Sequence, residues 1–287
     1  MSGPQLLHNP AALAARCQEL RRAGRVALVP TMGALHDGHR TLIRAATAIP
    51  GAATVVSIFV NPRQFESRSD FDRYPRQLDA DLAMCREEGV ELVFAPAADA
   101  MCPQGSDITV VPGPLGAELE GISRPGHFTG VLTIVAKLFG ITSPDLAFFG
   151  EKDYQQLVLV QRMVAQLWMA IEVIGVPTVR DTDGLALSSR NARLSAEARA
   201  AAAALPAALA AGTRAGAGGA TAVLGAAQAV LASPSAISPS AITVDYLELR
   251  DPRLGPAPAR GPARLLLAAT VGGTRLIDNM CLRLGGL

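Results

Sequence analysis

Two histidines three positions apart, His36 and His39, lie in the stretch Pro30-Thr31-Met32-Gly33-Ala34-Leu35-His36-Asp37-Gly38-His39. Imidazoles at that spacing on the first turn of a helix can turn toward one ligand. Their N–H groups suit negative charge that develops during phosphate chemistry. Gly33 and Gly38 allow φ > 0 and a close approach of backbone to ligand. If the stretch joins a strand to a helix, the helix N-terminus adds unsatisfied N–H groups and a positive partial charge, so the expected guest is an anion. Two plainer readings stand beside this one. Strand–glycine–helix junctions are common without any ligand, and His-x-x-His can bind a metal, although a third ligand is missing nearby. Two of the chain's 4 histidines at one junction favour the phosphate reading.

Three further stretches carry chemistry. In Asn61-Pro62-Arg63-Gln64-Phe65 an amide that both donates and accepts suits a substrate with hydroxyl and carboxylate groups, or else forms an ordinary Asn-Pro turn. In Phe148-Phe149-Gly150-Glu151-Lys152-Asp153-Tyr154-Gln155-Gln156 a lysine at a helix entrance is a point charge for phosphate, with Asp153 open to a capping role. Gly184-Leu185-Ala186-Leu187-Ser188-Ser189-Arg190-Asn191 places two hydroxyls and a guanidinium on one loop, which suits closure over a triphosphate or a solvated turn.

The elements that must position these residues follow from apolar periodicity. Helix 10–23 is amphipathic, and strand 26–30, helix 39–48, strand 54–60, helix 77–88 and strand 92–94 follow. The alternation resumes with helix 128–139, strand 145–149, helix 153–167 and strand 171–176. Parallel βαβ units with helices on both faces are expected, with the ligand beyond the carboxyl ends of the strands. Residues 96–126 interrupt the rhythm with Pro/Gly-rich loops and a short strand at 107–111. Beyond about residue 185 come an alanine-rich helix 195–211 capped by Ser195, a second helix to about Leu231, a loop at 233–240, and strands at 243–249, 264–269 and 274–278. Trp168 and the helix before it read as packing or interface residues.

Length and composition set bounds. A chain of 287 residues, 49% hydrophobic and 18% charged, can bury a large core in one to two domains. A net charge of +1 gives no global pull toward nucleic acid or an anionic membrane, so an anion site must be local. Cys17, Cys85, Cys102 and Cys281 form no C-x-x-C pair, which speaks against a zinc ribbon or disulfide framework and fits a reducing cytoplasm. Met1 to Pro10 lacks a signal-peptide pattern, and no apolar stretch approaches a membrane span.

Taken together, PTMGALHDGH, IFVNPRQF, RYP, GHFTGV, FFGEKDYQQ, VPTVRDTDGLALSSRN and TRLIDN resemble, in this order, the pantothenate synthetase (pantoate–β-alanine ligase) family. The resemblance covers nearly the whole chain, most densely residues 25–195. It implies an α/β fold: a Rossmann-like parallel-sheet nucleotide-binding domain, HIGH/KMSKS-type and nucleotidyltransferase-like, over residues 1–184, and a smaller C-terminal α+β lid domain over 185–287. It implies ATP as co-substrate, Mg²⁺, and pantoate and β-alanine as partners, joined through a pantoyl adenylate by a cytoplasmic homodimer. By that similarity Met32, Gly33, Ala34, Leu35, His36, Asp37, Gly38, His39, Gly150, Glu151, Lys152, Asp153, Val179, Leu187, Ser188, Ser189 and Arg190 surround ATP. Gln64 touches pantoate and β-alanine, Gln156 touches pantoate, and His36 is the family's proton-donor position. His36, His39, Lys152 and Arg190 would counter the charge of the transition state. Asp37 stands where the family commonly has glutamate, and Arg40 where it commonly has leucine. The rivals are a nucleotidyltransferase of the same fold, which would leave AMP on its product, and a non-catalytic nucleotide sensor.

Overall fold

A computed structural model of the chain describes residues 3–65, 68–232 and 242–285. It divides into two compact units, one of Met1–Glu151 with Gln155–Pro177, the other of Lys152–Tyr154 with Thr178–Leu287.

The first unit runs β1 (Gln5–Leu7), α1 (Pro10–Ala23), β2 (Arg25–Thr31), α2 (Asp37–Thr47), β3 (Ala52–Ile58), α3 (Arg68–Asp72), α4 (Leu78–Glu87) and β4 (Leu92–Phe94). Then follow α5 (Ala98–Met101), α6 (Glu120–Ser123), α7 (His127–Thr142), β5 (Leu146–Gly150), α8 (Tyr154–Gln166) and β6 (Glu172–Val176). The six strands form one parallel sheet in the order β1-β4-β3-β2-β5-β6. Val26, Ala27, Leu28 and Val29 are fully buried, as a central strand covered on both faces requires. The chain winds outward in both directions from β2 and β5, so the topological switch point lies at their carboxyl ends. Those ends are Thr31, entering the histidine loop, and Gly150, entering the Lys152 turn.

The second unit contains α9 (Ala196–Ala202), α10 (Ala204–Arg214), α11 (Gly219–Leu231), β7 (Ile242–Arg250), β8 (Gly261–Val271) and β9 (Thr274–Leu284). Its strands form an antiparallel sheet in the order β7-β8-β9. The alanine richness is a packing device. Ala208 and Ala227 are fully buried, and a methyl group on Gly212 would come within 2.6 Å of Leu265 Cδ2.

Several expectations are corrected here. Residues 107–111 form no strand: they pair with no sheet neighbour, and Val110 N–H donates instead to Thr133 Oγ1 at 3.0 Å. The single helix expected over 195–211 is two helices broken at Ala203. Pro206 has no N–H to return to Ala202, and it sits in the first turn of α10, where that donor would be unsatisfied anyway. Ser195 caps α9 through its hydroxyl, which accepts from Ala198 N at 3.1 Å. The edge strand β1, too short to show a period, adds a sixth member to the expected sheet. Residues 233–240, expected as a loop, lie outside the described residues. Trp168 is 93% exposed, so it packs into no core of this chain. Among the described residues no helix is long and apolar enough to cross a membrane.

Candidate active site

The histidine loop is held from within. Gly33 takes φ +78, where a Cβ would meet Asp81 Oδ2 and Ile58 Cγ2 at 2.9 Å each, so only glycine fits. The second left-handed residue is Ala34 (φ 51), not Gly38, which lies inside α2. Gly33 N donates to Thr31 Oγ1 (3.2 Å), Ala34 N to Asp81 Oδ2 (3.0 Å) and Leu35 N to Asp81 Oδ1 (2.8 Å). His36 N donates to His39 Nδ1 (3.3 Å), and Gly38 N to His36 Nδ1 (3.2 Å). This corrects the expected cradle, because these loop amides are already engaged inside the protein. Asp81 on α4 is buried, and burial pushes its carboxyl above the ordinary range while the two amides pull it back.

The capping bonds have a chemical consequence. A neutral imidazole that accepts at Nδ1 carries its proton on Nε2. His36 and His39, rings 4.1 Å apart, are therefore each set with Nε2–H as the donor. The loop mouth therefore presents two imidazoles and the positive end of α2 rather than a nest of free amides.

Gln64 stands in the turn after β3 and meets this loop. Its Nε2 donates to Met32 Sδ at 2.9 Å, and its Oε1 accepts from Asn61 Nδ2 at 3.0 Å. Two residues that sequence reasoning gave no role hold the Gln64 carbonyl: Arg124 Nη2 at 3.0 Å and the His127 ring at 3.0 Å. Gly130 lets α7 approach, since a Cβ there would fall 2.2 Å from Arg63 O. The signal for His127 and Gly130 was the GHFTGV stretch, which carried a resemblance but no stated chemistry; Arg124 lies just before it and had none. Of the adjacent glutamines on α8, Gln155 is buried and tied to Glu120 N, Leu115 O and Glu118 O, whereas Gln156 is half-buried.

Glu151, Lys152 and Asp153 form a single 3-10 turn between Gly150 and α8. The Lys152 side chain is 18% exposed, and its ammonium lies 3.9 Å from Asp153 Oδ1. In the second unit, Val179 and Leu187 close a hairpin, with Leu187 N donating to Val179 O at 2.9 Å. Ser188 caps the 3-10 turn Ser189–Arg193, its hydroxyl accepting from Arg190 N at 3.2 Å. Among the described residues no three His, Cys, Asp or Glu side chains gather into a metal cage. The thiols of Cys17 and Cys85 are pushed up to about 11 and about 12 by burial and belong to the core.

Arg40, next to the histidine pair, reaches Glu87 (3.0 Å) at the end of α4 and Glu88, the C-cap of that helix. Arg44 also bonds Glu88 and, with Arg40, holds that carboxyl below its ordinary range against burial. A depressed acid stabilises the fold above its unfolded value of ~4.3, and the benefit is lost as pH falls through the lowered folded value. Arg40→Leu is therefore expected to lower stability only slightly at neutral pH, and by less near pH ~2.5, where the carboxyl is largely protonated in both states. Urea titrations at both pH values check this. An equal cost at both would assign Arg40 to packing of its stem rather than to the ion pair.

A parallel sheet with this order, carrying donor-bearing histidines at its switch point, is that of a nucleotide-binding α/β enzyme of the nucleotidyltransferase-like kind. Known proteins narrow the class. The family described as pantoate-beta-alanine ligase matches residues 5–281. The chain is 59% identical over 277 residues to a pantothenate synthetase of Mycolicibacterium smegmatis, covering 96% of this chain and 87% of that protein. The pantothenate synthetase structure from Thermus thermophilus is similar, with a TM-score of 0.88, 44% identity, and 96% and 98% of the two chains covered. So is a Francisella tularensis pantoate-beta-alanine ligase complexed with beta-gamma ATP and beta-alanine, with a TM-score of 0.79, 32% identity, and 96% and 97% covered. The chain belongs to the pantoate–β-alanine ligase family, and it is an enzyme.

Proposed function

We propose that this chain condenses pantoate with β-alanine in two steps. A pantoate carboxylate oxygen attacks the α-phosphorus of ATP, and the bond to the β-phosphate oxygen breaks to release pyrophosphate. The β-alanine nitrogen then attacks the acyl carbon of pantoyl adenylate, AMP leaves with the carboxyl oxygen, and the amine gives up a proton. The observation that carries this reading is the meeting of the histidine loop with Gln64 at the switch point. It supports a reading in which the imidazoles serve phosphate while the amide of Gln64, in contact with Met32 of the same loop, binds a hydroxy acid.

We assign ATP to Met32–His39, Gly150–Asp153, Val179 and Leu187–Arg190, pantoate to Gln64 and Gln156, and β-alanine to Gln64. This is supported by the family membership and by the similar Francisella tularensis ligase, which is complexed with beta-gamma ATP and beta-alanine. His36 and His39 donate to the α-phosphate as its charge grows, and Lys152 and Arg190 follow charge onto pyrophosphate. ATP would bring Mg²⁺ with it. Nucleotide-bound Mg²⁺ needs only one or two protein carboxylates, and Asp153, 51% exposed, is the one we assign. The ion would supply charge neutralisation to the phosphates. The sheet unit holds the substrates, and the C-terminal α+β part serves as the lid that keeps water from the mixed anhydride. We also place the enzyme in the cytoplasm, as a homodimer. Leu167 and Trp168, 55% and 93% exposed, are the kind of apolar surface that a second subunit covers.

The test is isotope exchange. Labelled pyrophosphate should enter ATP when pantoate is present and β-alanine absent, and AMP should appear in quantity only when both acids are supplied. Full overall activity without exchange would rule out a freely reversible adenylation step.

A further inference from the structure

The stretch TRLIDN ends in two buried polar residues on β9, Asp278 and Asn279, each 4% exposed in a sheet whose buried positions are mostly leucine and alanine. Asn279 Nδ2 donates to the backbone carbonyl of Lys152 at 3.0 Å, while its Oδ1 accepts from Arg264 Nη1 at 3.0 Å. The Arg264 guanidinium lies 3.7 Å from the centre of the Tyr154 ring, and the Tyr154 hydroxyl donates to Pro252 O at 2.9 Å. Three consecutive residues, Lys152–Tyr154, are thereby pinned to the second unit, to which they belong by contact. Asp278 takes the other side. Its carboxylate binds Arg180 in a two-pronged pair, Oδ2 to Nη1 at 2.6 Å and Oδ1 to Nη2 at 2.9 Å. Arg180 Nη1 also donates to Gly184 O at 3.0 Å, which fixes the hairpin that ends in Val179 and Leu187.

Adjacent residues of a strand point to opposite faces, so one dipeptide can hold two segments at once. We propose that Asp278–Asn279 is a positioning element for the reaction. Asn279 sets the Lys152 turn, and Asp278, through Arg180, sets the base of the Leu187–Arg190 loop, so that the cations meant for the polyphosphate are fixed relative to one another. This rests on the reading of Lys152 and Arg190 as ATP contacts. Neither Asp278 nor Asn279 touches substrate, and their effect passes through the segments they hold. A buried polar pair kept only for stability would lower both half-reactions alike, because it would loosen the whole unit.

The experiment is a double-mutant cycle on the intact enzyme. Asn279→Asp keeps the size and the acceptor for Arg264 but turns an oxygen toward the Lys152 carbonyl. Pyrophosphate exchange and the second half-reaction, started from supplied pantoyl adenylate and β-alanine, are measured for Asn279→Asp, Lys152→Met and the double variant. Thermal unfolding is followed in parallel. Misplacement by about an ångström costs up to ~10²-fold, so Asn279→Asp should slow exchange about 10–100-fold, mainly in kcat, with the second half-reaction nearly unchanged. In the Lys152→Met background the same substitution should add almost nothing. Equal factors in both backgrounds, or equal damage to both half-reactions, would overturn the proposal and leave Asn279 as a structural residue. If Lys152→Met itself exchanges at the parent rate, the assignment of Lys152 to ATP fails, and the proposal with it. If Asn279→Asp does not fold, Tyr154→Phe replaces it in the same cycle. Loss of the hydroxyl bond should slow exchange several-fold, and a parent-like rate would overturn the clasp.

Discussion

Replacing His36 by alanine is expected to lower the rate of adenylate formation by about 10²–10³, the usual size for removing one preorganised donor to developing charge. The side chain has a second job, which complicates the variant. His36 is the N-cap of α2, and its Nδ1 accepts from Gly38 N while His39 closes the reciprocal bond. Losing a cap costs about 1 kcal/mol, so His36→Ala should also melt a few degrees lower. His36→Asn separates the two effects. Asparagine is among the best N-caps, so stability should return to near the parent, but no donor remains where Nε2–H stood. Single-turnover adenylate formation should stay slow in both variants. A fast His36→Asn enzyme would reduce His36 to a helix cap.

The same residue shows what could be read from the chain and what could not. A strand, a glycine-bearing loop and a helix are legible at Pro30–His39, because apolar periodicity and glycine placement are local properties. That the loop amides are already engaged is not legible, because two of them are taken by Asp81, which lies in another helix. The role proposed for Gln64 rests on a motif after a strand, yet the groups that hold its carbonyl are Arg124 and His127, far away in sequence. Residues 107–111 alternate like a strand but have no neighbour to pair with, and a ladder is not a local property. TRLIDN carries a resemblance and no chemistry of its own. Its polar pair acquires meaning only from Lys152 and Arg180, each about a hundred residues away in sequence.

Lys152 is where the structural and catalytic readings differ most sharply. Its side chain is 18% exposed, and its ammonium sits 3.9 Å from the Asp153 carboxylate, too long for a hydrogen bond. As an ordinary surface charge it would be badly placed, because a cation at a helix N-terminus is unfavourable by about 0.3–1 kcal/mol. A polyphosphate reverses that balance, since its negative charge outweighs the repulsion from the helix end. Lys152→Met keeps most of the aliphatic stem and removes only the charge, so it should be as stable as the parent or slightly more so. On the proposed reading the ammonium would follow charge onto departing pyrophosphate and so act in the transition state of the first step rather than in the ground state. Adenylation should therefore slow by at least about 10² in Lys152→Met. The second half-reaction, started from supplied pantoyl adenylate and β-alanine, involves no pyrophosphate and should slow far less. Pyrophosphate exchange and single-turnover amide formation, measured on the same preparation, decide the matter. Equal losses in both would mean that the substitution disturbs the site as a whole, and no loss in either would return Lys152 to the surface.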